Sequence, residues 1–295
     1  MSRSRLLSSL IISLAMVFIA GCGTSIDVEE PSRSEAGGIP SATLWADGAW
    51  ALYSLNRTNT DGTTTEGTCR IAAVGKEMVD NKPYHWLEIR EDSVDGVKIT
   101  KFLALEDPDF SLENGFTFWD DVKQIIIQEN TNTPERVPEA HLKRYAPHFV
   151  EGNVARKYGN VQNIDPPTHE NLEAKVFAVN DAELVCTGVR KTSHFVSTVN
   201  LGFIHLEDTT ESYVEYYSHP DVPFGGLVSV TFKNTTESEN KLKPDSPPRP
   251  PQYYENQMTL QSYGLGAQSQ ITGQPVEMEV MPFPFLEAAM QKKNS

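Results

Sequence analysis

Short runs of β-branched and aromatic residues, separated by turn residues, dominate this chain and restrict what it can fold into. The pairs Asp61-Gly62 and Asp95-Gly96 are strong hairpin signals, and Asp80-Asn81 and Asn180-Asp181 separate further runs in the same way. Little of the sequence has the period of a helix. The pattern predicts strands at residues 50–55, 63–74, 84–90, 97–105, 122–128, 172–179, 183–190, 199–207, 211–218, 227–234 and 253–263.

About ten strands in antiparallel order exceed what a flat sheet holds comfortably. The predicted fold class is therefore mainly β: an antiparallel curved sheet or half-open barrel with one or two short helices. One segment has helical spacing, with Pro138 at the first position, Leu142, Tyr145 and Phe149 three and four residues apart, and Pro147 limiting its length. A Pro-rich crossing is predicted at Asp165-Pro166-Pro167.

The first residues have the order of an export signal. Arg3 and Arg5 precede an apolar stretch over residues 6–20, which is shorter than the roughly 20 apolar residues of a membrane-spanning helix. Directly after it, Ile19-Ala20-Gly21-Cys22 resembles the bacterial lipobox, apart from Ile19 where the pattern prefers Leu. The resemblance implies a signal peptide at residues 1–21 and acyl chains on Cys22. The alternative is an ordinary signal peptide that leaves Cys22 as a plain thiol.

Three further segments follow the predicted signal peptide. Residues 22–43 are rich in Ser, Glu, Gly and Pro, the composition of a solvated tether. Residues 44–272 form a single β-rich domain, because strand-like runs continue without a clear linker until residue 235. Residues 273–295 are a C-terminal tail without a usable period, which either straps across the domain or stays mobile. By analogy with lipoproteins, Gly23 rather than Asp after the cysteine implies the outer membrane as destination.

Charge limits the partners. The chain has 25 basic and 40 acidic residues and a net charge of −15, and removal of residues 1–21 takes away two arginines. Such a charge repels phosphate backbones and anionic headgroups. We therefore expect that the protein neither binds nucleic acid nor attaches to a membrane through a basic surface. Membrane attachment is then expected from the covalent lipid on Cys22.

The strand order is similar to that of the periplasmic lipoprotein carriers, LolA and LolB, over roughly residues 45–265. Residues 217–228 also resemble a strand, turn, strand segment of uncharacterised bacterial lipoproteins. The first resemblance implies a half-open barrel around an apolar cavity. The candidate residues for lining it are Trp50, Trp86, Phe102 and Phe203; the alternative is that they pack in a closed core.

Two cysteines remain besides Cys22, namely Cys69 and Cys186, and each lies in a predicted strand. Export to an oxidising compartment favours a disulfide between them. The alternative is two separate buried thiols that act as small apolar side chains.

No motif specifies a reaction. His169-Glu170 lacks the second histidine of a zinc-protease motif, since position 173 is Glu173, and the acidic run 106–113 lacks the Gly and Glu of an EF-hand. We therefore expect no catalytic residues, metal or cofactor, and a lipid-anchored envelope protein that binds an apolar ligand or an envelope partner. The alternatives are a hydrolase whose site assembles only in the fold and a purely structural envelope component.

Overall fold

The computed structural model describes residues 46–105, 122–142, 159–200, 205–241 and 250–279. Cys22, the predicted signal peptide and the tether lie outside these residues, as do Phe203 and the acidic run 106–113. The described residues form one twelve-stranded sheet. Its strands are β1 Trp50–Thr58, β2 Thr64–Val79, β3 Lys82–Ser93, β4 Gly96–Leu105, β5 Gln124–Glu129, β6 Glu135–Arg136, β7 Gly159–Val179, β8 Ala182–Asn200, β9 His205–Ser218, β10 Leu227–Asn240, β11 Gln252–Gly264 and β12 Val276–Glu277.

Two meanders make up the sheet. The strand order is β12-β6-β5-β4-β3-β2-β1-β11-β10-β9-β8-β7, so β1 to β6 follow one another on one side and β7 to β11 on the other. The two meanders join where β1 pairs with β11 in antiparallel register. The short β12 pairs in parallel with β6. This arrangement confirms the predicted mainly β, antiparallel and curved fold.

The predicted turns act as hairpin connections. Asp80 and Asn81 have φ values of 51° and 62°, and Asn180 and Asp181 have 52° and 60°. Two consecutive residues with positive φ form the turn that matches the right-handed twist of a two-stranded ribbon. Asn and Asp tolerate this conformation better than other non-glycine residues, which explains why the chain reverses at these pairs.

The concave inner face of the curved sheet carries the core. Strands β1, β3, β4, β10 and β11 place their alternate apolar residues on this face. The largest fully buried side chains in it include Tyr53, Phe102, Ile125, Met258 and Val228. Val222 and Phe224, from the loop between β9 and β10, are also buried in this cluster.

Two predicted elements differ from the structure. Residues 199–207 are not one strand, because β8 ends at Asn200 and β9 begins at His205. The predicted crossing at Asp165-Pro166-Pro167 lies inside β7, where register shifts between Asn163 and Asp165 and between Asp165 and Thr168 accommodate the prolines. Proline is tolerated there because β7 is an edge strand, whose outer N–H groups have no ladder partner.

The predicted helix is represented by a 3-10 helix, Glu139–His141, that begins directly after Pro138. Leu142 is buried in the core, whereas Tyr145, Pro147 and Phe149 lie outside the described residues. No helix within the described ranges is long and apolar enough to cross a membrane.

Candidate functional site

Buried apolar side chains of the core cover the inner face of the sheet, and we call this part of the face the apolar floor. Tyr53 on β1 and Met258 on β11 lie in it, and the Tyr53 hydroxyl donates a hydrogen bond of 3.2 Å to the backbone oxygen of Leu227, where β10 begins. Burial raises the pKa of the Tyr53 phenol, because the phenolate would lose its hydration. Tyr53 is therefore a neutral hydrogen-bond donor that connects the two meanders across the inner face of the curved sheet.

A row of buried polar side chains borders this floor. Ser193 on β8 and Ser212 on β9 are direct register partners, and Ser212 is in turn opposite Asn234 on β10. The two serines are 2% and 1% exposed, and their hydroxyls have no hydrogen-bond partner among the described residues. Buried hydroxyls in native proteins are usually satisfied by protein, water or ligand, so this pair marks a place where a polar group is expected.

An ion pair lies on the same face. Arg57 Nη2 is 3.0 Å from Glu91 Oε1, and the two side chains are 18% and 12% exposed. Burial raises the pKa of the Glu91 carboxyl, while the charges of Arg57 and Lys98 act in the opposite direction. Arg57 Nε has no partner in the described part of the chain. The inner face thus combines apolar contacts with neutral and charged hydrogen-bonding groups, which suits an amphipathic ligand. We call Arg57, Glu91, Ser193 and Ser212 the polar rim.

Three of the four residues predicted to line a cavity lie in the described part of the chain, and these three do not share one face of the sheet. Phe102 is 1% exposed and lies in the inner core, opposite Leu87 in the β3–β4 register. Trp86 precedes Leu87 by one residue and therefore points to the opposite face. Phe203 lies outside the described residues.

Polar partners hold both tryptophans on the outer face. Trp86 Nε1 donates to Glu77 Oε2 at 3.2 Å, and the Lys101 ammonium lies 4.9 Å from the centroid of its ring. Trp50 Nε1 donates to the backbone oxygen of Leu265 at 3.3 Å. These rings therefore pack under charged side chains and the C-terminal segment rather than inside the coil.

A second buried polar group lies on the outer face. Glu88 on β3 is 1% exposed, and its carboxylate accepts hydrogen bonds from Ser269 Oγ at 2.7 Å and from the backbone N–H of Gln270 at 2.9 Å. Residues 265–279, which we call the strap, run over this face and include β12. The predicted boundary of the tail at residue 273 falls inside the strap. The sequence had no local signal for this burial, because the covering residues are 181 and 182 positions away.

Cys69 and Cys186 are both buried and both free thiols. Burial raises the pKa of each thiol, and the nearby Glu91 carboxylate raises that of Cys69 further. Both side chains belong to the apolar core cluster, and the disulfide between them stays a prediction of the sequence.

Two pairs of a histidine and a carboxylate lie in partly exposed positions. His194 Nδ1 is 3.5 Å from Asp165, and His219 Nδ1 is 3.8 Å from Asp221. Glu170, from the broken zinc-protease motif, instead accepts a hydrogen bond from Arg190 Nη1 at 2.9 Å. Within the described ranges, no group of three or more His, Cys, Asp or Glu side chains could hold a metal ion.

Comparison with known proteins gives few relatives. No family model and no curated protein matches the chain. Two solved structures match over most of its length. One is a protein from Bacteroides fragilis described as exported and with a YmcC-like fold, 11% identical, covering 74% of this chain and 96% of its own, with a TM-score of 0.27. The other is a protein from Parabacteroides distasonis described as a lipoprotein, 13% identical, covering 75% and 96%, with a TM-score of 0.29. With TM-scores this low, neither likeness supports a conclusion about this chain.

Proposed function

We propose that this protein is an exported lipoprotein of the cell envelope, held at a membrane by acyl chains on Cys22. The support is the order of Arg3 and Arg5, the apolar residues 6–20 and Ile19-Ala20-Gly21-Cys22. Two or three acyl chains, each contributing about 0.8 kcal/mol per buried methylene, give nearly permanent attachment. The tether at residues 22–43 then separates the β domain from the headgroups by roughly 25 Å. Gly23 favours the outer membrane.

The anchor is tested by the fate of Cys22. We expect the wild-type chain to incorporate labelled palmitate and to enter the detergent phase of a Triton X-114 separation. Cys22→Ala removes the only sulfur in the lipobox and should abolish both, whereas Cys186→Ala, a matched change at a buried cysteine, should abolish neither. Incorporation of palmitate by the Cys22→Ala chain would contradict the proposal.

We further propose that the inner face of the coiled sheet binds an amphipathic ligand, and that binding rather than catalysis is the role of the domain. The observation that carries this proposal is the position of the buried, unpartnered hydroxyls of Ser193 and Ser212 beside the apolar floor. A ligand with an apolar body could contact the floor through that body. Its polar group would accept hydrogen bonds from the two hydroxyls, and the Arg57–Glu91 pair adds charged partners.

The ligand is tested by native mass spectrometry of detergent-released protein, followed by solvent extraction. We expect a stoichiometric lipid mass in addition to the covalent anchor. Ser212→Ala, which removes only the hydroxyl and adds no volume, should lower its occupancy, and Ser218→Ala, at the end of the same strand, is the control. A protein that carries no mass beyond the anchor would refute this role, while the palmitate result would still decide the anchor independently.

A further inference from the structure

The strap is held by side chains of the sheet that bind its backbone. The backbone N–H of Gln270 donates to Glu88, as described above. Two residues on, Gln128 of β5 binds Thr272 at three points: Gln128 Oε1 accepts from the Thr272 N–H at 3.0 Å, and Gln128 Nε2 donates to the Thr272 backbone oxygen at 3.1 Å and to its Oγ1 at 3.2 Å. Two side chains of the sheet, Glu88 and Gln128, thus form hydrogen bonds with the backbone of an extended peptide, as a neighbouring strand would.

Strap side chains are also recognised. The Ser269 hydroxyl donates a hydrogen bond to Glu88 and accepts one from Lys101 Nζ, which lies 3.4 Å from Ser269 Oγ. Arg90 Nη1 donates to the side-chain oxygen of Gln270 at 3.1 Å. We call Glu88, Arg90, Lys101 and Gln128 the strap site. Its specificity is for a hydroxyl residue, then Gln, then a Thr two positions later.

The strap is held mainly by hydrogen bonds, and Met278, a partly buried side chain near its end, packs against the core. None of residues 265–279 is buried, whereas Glu88 and Gln128 beneath it are 1% and 3% exposed. Segments with few buried apolar contacts open at a small fraction of the global unfolding free energy. Leu265 at the start of the strap lies between two glycines. Of these, Gly266 has a φ of +90°, and a Cβ at this position would meet no atom within 4 Å. A change of backbone direction at Gly266 meets no side-chain clash, but opening of the strap breaks the hydrogen bonds from Trp50 Nε1 to the Leu265 oxygen and from the Ala267 N–H to the Gly48 oxygen.

We propose that the strap site is a peptide-binding site that also accepts the strap of a second copy of this chain. The second copy is the occupant that the structure favours, because its residues 265–279 offer the same hydroxyl, amide and backbone groups that the site binds within one molecule. Opening breaks the hydrogen bonds that Glu88 and Gln128 make with the strap, and the strap of either copy can restore them. Segment exchange between identical chains is a low-cost route to dimers, because the exchanged strap re-forms in the dimer the contacts that opening breaks. The inference does not depend on the anchor or on the inner-face ligand.

Complementation between two variants tests the proposal. The site variant carries Glu88→Ala and Gln128→Ala and keeps an intact strap. The strap variant carries Ser269→Ala, Gln270→Pro and Thr272→Pro, which remove two hydroxyls and the two backbone N–H donors, and it keeps an intact site. Both are made in the mature chain with Cys22→Ala, so that micelles do not join molecules. Light scattering after size exclusion should find each variant monomeric alone and a dimer in their equimolar mixture. A mixture that stays monomeric would overturn the proposal.

A peptide experiment keeps the test decisive if the site variant does not fold. A synthetic peptide of residues 265–279 should bind the strap variant at least about tenfold more tightly than the wild type. In the wild type the tethered strap competes at an effective concentration of roughly millimolar. Ser269→Ala and Thr272→Ala in the peptide should weaken binding roughly tenfold or more. Gln274→Pro in the full chain, at an exposed strap position, is the control and should behave as wild type. No binding to the strap variant would refute the proposal.

Discussion

Asn180, in the turn between β7 and β8, and Tyr263, near the end of β11, are joined by two hydrogen bonds. Asn180 Nδ2 donates to the backbone oxygen of Tyr263 at 2.9 Å, and the Tyr263 N–H donates to Asn180 Oδ1 at 3.2 Å. Tyr263 lies beyond the point where β10 pairs with β11, at Ser229–Thr259. The side chain of Asn180 thus satisfies backbone groups on the side of β11 that β10 does not reach, and it connects the β7–β8 hairpin to the middle of the sheet.

Removing the two hydrogen bonds between Asn180 and Tyr263 should destabilise the curved sheet. Asn180→Ala loses both hydrogen bonds and places Ala at a φ of 52°, whereas Asp80→Ala makes the same backbone change at a φ of 51° without those bonds. We expect Asn180→Ala to lower the free energy of unfolding by about 1–3 kcal/mol more than Asp80→Ala does. Urea denaturation of both variants measures the difference. Equal losses would show that the contact with Tyr263 contributes nothing.

Two glycines with the same φ separate backbone strain from a clash. Gly226 and Gly62 both have a φ of +77°, but a Cβ at Gly226 would lie 2.7 Å from the backbone oxygen of His219, whereas at Gly62 it would meet nothing within 4 Å. Gly62→Ala should therefore cost about 1 kcal/mol, the penalty of the left-handed conformation. Gly226→Ala should cost clearly more, because a backbone must move. Thermal denaturation checks the order, and a similar loss in both would contradict this account of the β9–β10 loop.

The two buried cysteines should be unreactive in the folded protein. Cys69 and Cys186 are buried with raised pKa values, so thiolate is scarce and reagents have little access. In the mature chain with Cys22→Ala, Ellman's reagent should react with neither thiol in buffer and with both in denaturant. Material in which denaturant releases no thiol unless a reductant is present would instead establish the disulfide that export favours.

Alkaline pH should unfold the domain through Tyr53 and Cys69. Burial raises the pKa of both groups above their ordinary values, so their neutral forms stabilise the fold fully below the unfolded pKa values, about 8.5 for Cys and 10 for Tyr. The stability is lost as the pH rises toward the folded values, because only the unfolded chain ionises easily. Tyr53→Phe should cost about 0.5–1.5 kcal/mol at pH 7 through its lost bond to Leu227, and should flatten the decline above pH 10. Parallel stability curves for the variant and the wild type would contradict this role of Tyr53.

Local pattern predicted the hairpins well because their causes are local. The pairs Asp80-Asn81 and Asn180-Asp181 reverse the chain by their own conformational preferences. In residues 84–90 the sequence alternates His85, Leu87 and Ile89 with Tyr84, Trp86, Glu88 and Arg90, and all three residues of the first set are buried. The same alternation puts Trp86 on the other face. It is therefore enough to exclude Trp86 from the face that Leu87 shares with Phe102.

Non-local contacts explain what the sequence did not reveal. A glutamate such as Glu88 is typical of the solvent-exposed face of an amphipathic strand. It is buried here because the strap, 182 positions away at Gln270, covers it. Likewise, the polar rim joins Arg57 of β1 to Glu91 of β3 across β2, and Ser193 to Ser212 across the β8–β9 pair. Which polar residues share the inner face depends on strand register, and register is set by pairings between distant segments.

The prolines in β7 have a consequence for crowded conditions. An edge strand of this length would normally invite another chain to extend the sheet, but Pro166 and Pro167 lack the N–H donors that such an extension needs, and the neighbouring shifts in register bend the strand. Many copies of the chain gathered side by side would meet at high local density. At this edge they could do so without merging their sheets into an aggregate.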